Sequence, residues 1–312
     1  MSETIDRKTG KKKKNTAIKL MKSDYVFLTF VTILLTAFFI IVLYPLLYVI
    51  SASLSGGVMT GGGLSLIPAQ ITWEGYTAVF EQKSVWTGYA NSLLYMASGT
   101  AIALVVTILC AYPLSRKTFK NGKIMMALCV FTMYFSGGMI PTYLAIRNMG
   151  LLDSIWALIL PGSLSVYNMI VMRTYFSTSI PDEMREAAQI DGCGEWRFLT
   201  QIVLPLSGPI LAVIGLYYAV DLWNSYYGAL LYIQSKSKLP LANVLRELLM
   251  QSMSLSMENN VGLDSTAQAL LEKRSEVMRY SLIIVSSLPV MLLYPFVQKY
   301  FVKGVMIGAV KG

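Results

Sequence analysis

The chain has 312 residues, of which 55% are hydrophobic and only 14% are charged, and its mean hydropathy is +0.56. Soluble domains carry about a quarter charged residues, so this composition indicates a membrane protein. The net charge is +9, but the lysines and arginines lie at the ends of apolar runs, which argues against a nucleic-acid partner. With no histidine and three cysteines at no metal-ligand spacing, neither a zinc site nor histidine-based acid–base catalysis is expected.

Six apolar runs are long enough to cross a bilayer, which takes roughly 20 helical residues. They predict an all-α integral membrane protein with six transmembrane helices. In the third run, two glycines and a proline predict a weakened or broken helix near residues 137–141. Prolines 205 and 209 place the start of the fifth span near Leu206. In chain order the runs are 25–50, 84–115, 124–146, 154–172, about 206–232, and 280–298.

Lysine and arginine predict which side of the membrane each loop faces, because they are enriched on the cytoplasmic side. They cluster before the first run, after the second and after the sixth, whereas the loops after the first and third runs hold only Lys83 and Arg147. Both termini and the segment 173–201 are therefore predicted to be cytoplasmic. The expected organisation is a basic tail (1–24), a six-helix transmembrane domain (25–301) and a C-terminal tail (302–312). Because the first run is of spanning length, a cleaved signal peptide is not expected.

Residues 181–205 form a polar segment between two apolar runs. A proline followed by two acidic residues predicts a helix start near residue 181. The Gly192-Cys193-Gly194 stretch predicts a sharp turn, and residues 195–201 predict a second short helix. Ala187 and Ala188 would allow a partner to approach closely. Composition alone favours an ordinary amphipathic surface helix, but the spacing of the residues is more specific.

That spacing resembles the signature loop of ABC importer permeases, and all seven positions of the pattern match. The resemblance covers nearly the whole chain and implies the type I ABC importer permease fold, as in the second permease subunit of maltose-type sugar importers. Trp223-Asn224 is similar to a pair in those subunits, and the stretch 136–144 resembles permeases for plant or bacterial polysaccharide fragments. The matching positions are Glu186, Ala187 and Ala188, then Gly192 after three residues, then Ile202, Leu204 and Pro205 after nine more.

The resemblance implies that the polar segment is a coupling helix that docks on a cytoplasmic ATPase. It implies these partners: a second, homologous permease subunit in a heterodimer, two ABC ATPase subunits, an extracytoplasmic solute-binding protein and membrane lipid. The chain has no Walker nucleotide motif, so no cofactor is expected in it, and ATP and Mg would belong to the ATPase. The expected location is the bacterial cytoplasmic membrane. The implied coupling residues are Glu186, Ala187, Ala188, Asp191, Gly192, Ile202, Leu204 and Pro205, with tail contacts from Gly308, Ala309, Val310, Lys311 and Gly312.

Polar and aromatic residues inside the spans are candidates for a sugar pathway, because such groups are costly in a membrane unless they serve a function. Alternatively, the aromatic residues form an interfacial belt and Asp221 pairs with a partner subunit. The lone polar residues Asn91 and Asn168 are expected to hydrogen-bond between helices. The pathway candidates are Asp221, Trp223, Asn224, Tyr227 and Tyr134.

The sequence therefore predicts the permease subunit of an ATP-driven, binding-protein-dependent importer of sugars, with oligosaccharides or polysaccharide fragments as the expected cargo. One alternative is an ABC permease for a non-sugar solute. A self-contained secondary transporter is disfavoured, because there is no internal repeat and only one buried acid. A membrane-embedded enzyme lacks the clustered carboxylates or activated nucleophile that it would need.

Overall fold

The computed structural model describes residues 21–55, 66–68, 70–258, 277–292, 295 and 298, and the regular elements of this part are helices, as predicted. A π-helical turn at Leu199–Val203 joins α9 to α10, and a 3-10 turn at Lys236–Lys238 precedes α13. The helices are α1 Lys22–Leu54, α2 Glu74–Phe80, α3 Lys83–Leu114, α4 Gly122–Tyr134, α5 Met139–Asn148, α6 Ile155–Ile159, α7 Val166–Ser179, α8 Asp182–Ile190, α9 Glu195–Phe198, α10 Leu204–Leu206, α11 Gly208–Trp223, α12 Tyr226–Tyr232, α13 Leu241–Glu258 and α14 Val277–Leu292.

The chain divides into two units. The first runs to Val49 and consists, where described, of the larger part of α1. The second begins at Ile50 and holds the other helices around buried apolar clusters. In the described residues, α1 and α3 are each long and apolar enough to cross a membrane, and two bent helix pairs add two further spans if each pair is one span. The count of six spans stays a prediction.

α3 is the central helix of the second unit, because small residues line its buried side. Small side chains let neighbouring helices approach closely: a Cβ on Gly99 would lie 2.6 Å from Cδ1 of Leu222 in α11. Tyr218 of α11 ties this helix to two others, since its hydroxyl lies 2.7 Å from Thr107 Oγ1 and accepts a hydrogen bond from the N–H of Ser165 at 3.0 Å. The small buried residues of α3 are Gly88, Ser92, Gly99, Ala103, Thr107 and Ala111.

The third and fourth predicted spans are interrupted. The third is divided into α4 and α5, which meet at a bend of 111°. Gly138 has a φ of +84°, which glycine adopts readily because it has no Cβ. The break predicted there is confirmed. The fourth run is divided into α6 and α7, a difference from the uninterrupted span expected. The physical reason is Pro161, which has no N–H to donate and disfavours helix in the residue before it.

The fifth span begins where predicted, but it is not continuous. A bend of 82° separates residues Glu195–Leu206 from α11, which begins at Gly208. Asn224 and Ser225 then interrupt the helix, and α12 follows. The basic tail up to residue 20, the C-terminal tail and part of the sixth predicted span lie outside the described residues.

Candidate functional site

α8 ends in a turn that requires glycine. Gly192 has a φ of +76°, in the left-handed region. Its N–H donates to the carbonyl of Gln189 at 3.0 Å, and the N–H of Cys193 donates to the carbonyl of Ala188 at 2.8 Å. These two bonds form a Schellman motif, in which a left-handed residue closes a helix. The predicted sharp turn is confirmed, and it depends on Gly192 rather than on Gly194, whose φ is −74°.

Glu195, at the start of α9, accepts hydrogen bonds from two other helices. Arg185 of α8 donates to its Oε1 from Nε at 2.9 Å and from Nη2 at 2.6 Å. Tyr112, near the end of α3, donates its hydroxyl to Oε2 at 2.6 Å. The hydrogen bond from Arg185 is the largest cause that lowers the pKa of Glu195 below its ordinary value, which keeps the carboxylate ionised at neutral pH. Sequence reasoning missed Glu195, although its position ten residues after Arg185, across a glycine turn, was an available signal.

Arg116 lies beside this cluster and is only 7% exposed. Its guanidinium carbon lies 4.9 Å from the ring centroid of Tyr112 and 5.8 Å from that of Phe198. Nη1 donates to the carbonyl of Ile180 at 3.5 Å, whereas Nε and Nη2 have no hydrogen-bond partner within the described residues. Two aromatic rings therefore stabilise this buried cation by cation–π attraction. In the sequence, Arg116 is one of the basic residues after the second apolar run, which indicate only the orientation of the chain.

The first half of the predicted coupling motif divides into an exposed group and one buried residue. Ala188 is 9% exposed and packs in the buried cluster of its own chain. Of the two alanines, only Ala187 is therefore available for close approach by a partner. Ile190 and Trp196, which lie outside the motif, are 87% and 70% exposed. Large exposed apolar side chains among polar ones mark a surface for protein contact. The exposed motif residues are Glu186, Ala187, Asp191 and Gly192.

The second half of the motif lies where the helix is irregular. The N–H of Leu204 donates to the carbonyl of Leu199, five residues back, which is the π-helical pattern. A proline inside a helix lacks a donor and clashes with the carbonyl four residues earlier, and the widened turn directly precedes Pro205. Ile202 and Leu204 pack against the same buried cluster as Ala188, whereas Pro205 is exposed. The two apolar residues thus hold the segment on the rest of the chain.

The pathway candidates also divide into exposed and buried residues. Trp223 is 6% exposed, its indole N–H donates to the carbonyl of Ser286 at 3.1 Å, and its ring centroid lies 5.9 Å from that of Tyr89. Trp223 therefore joins α11 to α14 and α3. The hydroxyl of Tyr227 lies 2.7 Å from Sδ of Met139, which brings α12 to the break between α4 and α5. The exposed candidates are Tyr134, Asp221, Asn224 and Tyr227.

A groove of about 540 Å³ lies between α11, α13 and α14. Its wall is mostly aliphatic, and its polar groups come from Asn224, Arg246, Ser286 and Ser287. An apolar groove with a few polar groups is typical of a small-ligand site. Two of the pathway candidates, Trp223 and Asn224, line this groove.

At the opposite end of α3 from the Glu195 cluster, the loop before α6 is fastened to the segment after α12. Asp153 accepts hydrogen bonds from Lys238 Nζ at 2.7 Å and from the Ser235 hydroxyl at 2.6 Å, and also from the backbone N–H groups of Gln234 and Ser235. The Lys238 hydrogen bond is the largest cause that holds the pKa of Asp153 well below its usual range. No pattern in the sequence indicates this set of contacts, which we name the outer clasp.

Asp153→Asn is expected to destabilise the protein most at neutral pH. Because the folded-state pKa of Asp153 is depressed, its contribution is fully present above the unfolded pKa of about 4 and is lost as pH falls towards the folded value. Asparagine tolerates the φ of +56° at this position, so the backbone is preserved. The measurement is the thermal midpoint of both proteins in detergent at pH 7 and pH 3. An equal difference at both pH values would contradict this account.

Comparison with known proteins places the chain in a family, although no protein-family model matches it. Protein LplC of Bacillus subtilis is 37% identical over 273 residues, covering 87% of this chain and 90% of LplC. The polygalacturonan/rhamnogalacturonan transport system permease protein YtcP of the same organism is 37% identical over 280 residues, covering 89% of this chain and 96% of YtcP. This chain belongs to the sugar ABC transporter permease family. A crystal structure of a bacterial ABC transporter involved in the import of the acidic polysaccharide alginate contains a chain that is 32% identical, with a TM-score of 0.78 over 90% of this chain and 99% of that one.

Membership of the ABC permease family determines the general role of the chain. It is a transport subunit of the bacterial cytoplasmic membrane and does not itself catalyse a reaction. ABC permeases of import systems work with an ATPase and with a solute-binding protein, and these are its partners in general terms. Residues 308–312, the predicted tail contact to the ATPase, lie outside the described residues.

Proposed function

We propose that this ABC permease imports oligosaccharide fragments of polysaccharides, and that α8 to α10 form its coupling segment on the cytoplasmic side. The observation that carries the coupling role is the surface of α8. It presents Glu186 and Ala187 at the fixed motif spacing, beside a glycine-closed turn and two exposed apolar side chains. A basic partner pocket would pair with the Glu186 carboxylate, and the turn sets the angle at which α9 meets that pocket.

The cargo proposal rests on relatives. YtcP is named for polygalacturonan and rhamnogalacturonan, and the solved transporter is described as importing alginate. All three polymers contain sugar acids, so short oligosaccharides of sugar acids are the first cargo to test. An ABC permease for a non-sugar solute is the alternative from the sequence, and nothing in the relatives favours it.

The proposed assembly contains this chain, a second homologous permease, two ATPase subunits and an extracytoplasmic solute-binding protein. In the proposed topology, with six spans and both termini in the cytoplasm, the coupling segment lies beside the ATPases and the outer clasp beside the binding protein. ATP and Mg²⁺ belong to the ATPases, and the tail at 308–312 is proposed to contact them. When the ATPases close on ATP, they draw the two coupling segments together and the spans open outward.

The proposed sugar pathway uses the exposed candidates Asp221, Asn224, Tyr227 and Tyr134. Carboxylate and amide groups bind sugar hydroxyls, and tyrosine rings stack on sugar faces. The contact between Tyr227 and Met139 supports this grouping, because it places α12 beside the interrupted third span. Non-helical backbone at membrane depth is tolerated where protein or water covers it, so a break there suits a cavity.

The test is ATP-driven uptake by the complete complex in vesicles, with labelled oligogalacturonides, maltotriose or an amino acid outside. Glu186→Ala is expected to lower both uptake and co-purification of the ATPase at least about tenfold, the effect of losing a buried charge pair of about 1.4 kcal/mol or more. Glu183→Ala is the matched control, because Glu183 is exposed on the same helix but outside the motif. Wild-type uptake and co-purification in the Glu186 variant would refute the coupling role. Uptake of the amino acid, and of neither sugar, would refute the cargo proposal.

A further inference from the structure

Besides the buried apolar residues that pack the coupling segment on the rest of the chain, two routes lead from it to other helices, and they differ in stiffness. The covalent route runs forward from α9 through the π-helical turn and Pro205 to the 82° bend before α11. Ser207 at the bend is fully buried, and its hydroxyl has no partner within the described residues. Irregular turns and bends absorb displacement, because their backbone hydrogen bonds are wider or missing. A push on α8 is therefore poorly transmitted to α11 along the chain.

The second route runs through Glu195 to α3. Its Oε1 is held by Arg185 of α8, and its Oε2 by the Tyr112 hydroxyl. Charge-assisted hydrogen bonds of 2.6–2.9 Å are among the strongest in proteins and have defined directions. One carboxylate thus joins α8, α9 and α3 directly. Arg116 packs on the rings of Tyr112 and Phe198, which fixes the ring of the tyrosine that makes the bond.

The far end of α3 is fastened as firmly to the segment that follows α12. Asn91 Nδ2 donates to the carbonyls of Ser237 and Leu239, at 2.8 and 3.0 Å, and Tyr95 donates its hydroxyl to the carbonyl of Lys238 at 2.8 Å. Lys238 is also part of the outer clasp through Asp153. The continuous helix between Tyr95 and Tyr112 is about 26 Å long. α3 is thus a single rod with the coupling segment at one end and the outer clasp at the other.

We propose that Glu195 is the positioning residue that fastens the coupling segment to α3, so that movements of the ATPase reach the outer clasp through Tyr112 and α3. This inference rests on the coupling role proposed above and adds a specific link to it. Exposed salt bridges elsewhere on the segment do not serve this purpose. The side chain of Lys117, which pairs with Asp182, is 89% exposed, so that pair contributes little, whereas the side chain of Arg185, which pairs with Glu195, is only 16% exposed.

The test compares Tyr112→Phe, Glu195→Gln and the double variant in the complete complex, with Asp182→Asn as the control. The readout is the number of sugars imported per ATP hydrolysed. Both single variants are expected to assemble with the ATPase and hydrolyse ATP while this ratio falls at least about fivefold, the lower end of allosteric coupling. The double variant should be no worse than the worse single variant, because each single change already removes or weakens the same hydrogen bond between Tyr112 and Glu195. The control should keep the wild-type ratio.

An unchanged ratio in Tyr112→Phe, which preserves the ring and its packing, would overturn the proposal. So would losses that simply add in the double variant, since the two residues would then act separately. A thermal midpoint equal to wild type in Tyr112→Phe, together with a reduced ratio, supports positioning over mere stability. Failure of the coupling role itself has a different signature: the Glu186 variant would then assemble and import normally, whatever the Glu195 variant does.

Discussion

Replacing Gly192 by valine is expected to lower ATP-driven uptake about tenfold or more. Residue 192 has a φ of +76°, where an L side chain costs about 1–2 kcal/mol and a β-branched one is a genuine outlier. Relief of that strain requires opening the Schellman turn, which displaces α9 and with it Glu195. The population of correctly folded coupling segments should fall about tenfold or more. Uptake and ATPase co-purification, measured together, should decline in parallel.

The same loop supplies the controls for this prediction. Gly192→Asn should retain most of the uptake, because asparagine tolerates the left-handed region. Gly194→Ala should be close to wild type, since its φ of −74° is ordinary and a Cβ there would meet nothing within 4 Å. If alanine at 194 were as harmful as valine at 192, the loss would reflect crowding against the partner rather than backbone conformation.

Trp223→Ala is expected to unfold or severely destabilise the permease. The side chain is almost fully buried between α11, α3 and α14, and its indole N–H is bonded to the carbonyl of Ser286. Removing a buried tryptophan costs about 3–5 kcal/mol through lost contacts and the cavity left behind. The thermal midpoint of the purified complex, followed in detergent, should drop accordingly, with loss of uptake as a consequence.

Tyr134→Ala separates stability from a role in the pathway. Tyr134 is highly exposed, so its removal should leave the thermal midpoint unchanged. If it lines the sugar pathway, uptake falls while the midpoint does not.

A wild-type midpoint for the Trp223 variant would contradict the packing role assigned to that tryptophan and would leave it only as a candidate for the sugar pathway.

Sequence reasoning succeeded where a local feature decides the structure. Fixed motif spacing located the segment that closes at Gly192, and the glycines near residue 138 located the break in the third span. A composition poor in charge identified a membrane protein before any motif was considered. The turn and the break depend on backbone chemistry that neighbouring residues alone determine, whereas the membrane assignment depends on composition.

Sequence reasoning gave no information where distant residues decide the structure. The burial of Trp223, a candidate for the sugar pathway, results from the packing of α14 against it, which no local pattern indicates. Tyr112 and Glu195 are 83 residues apart, so their hydrogen bond has no local signature. Asp153 likewise depends on a loop more than 80 residues later in the chain. Such contacts follow from tertiary packing, which a single sequence does not display.

The small residues on the buried side of α3 also constrain how the permease changes shape. With Gly99 against Leu222 there is no room for one helix to slide past the other, and close-packed interfaces deform little. α3 and α11 are therefore expected to move as one block. Opening and closing must then be accommodated by hinges at the interruptions: the glycine bend after α4, the proline gap before α7 and the two residues between α11 and α12.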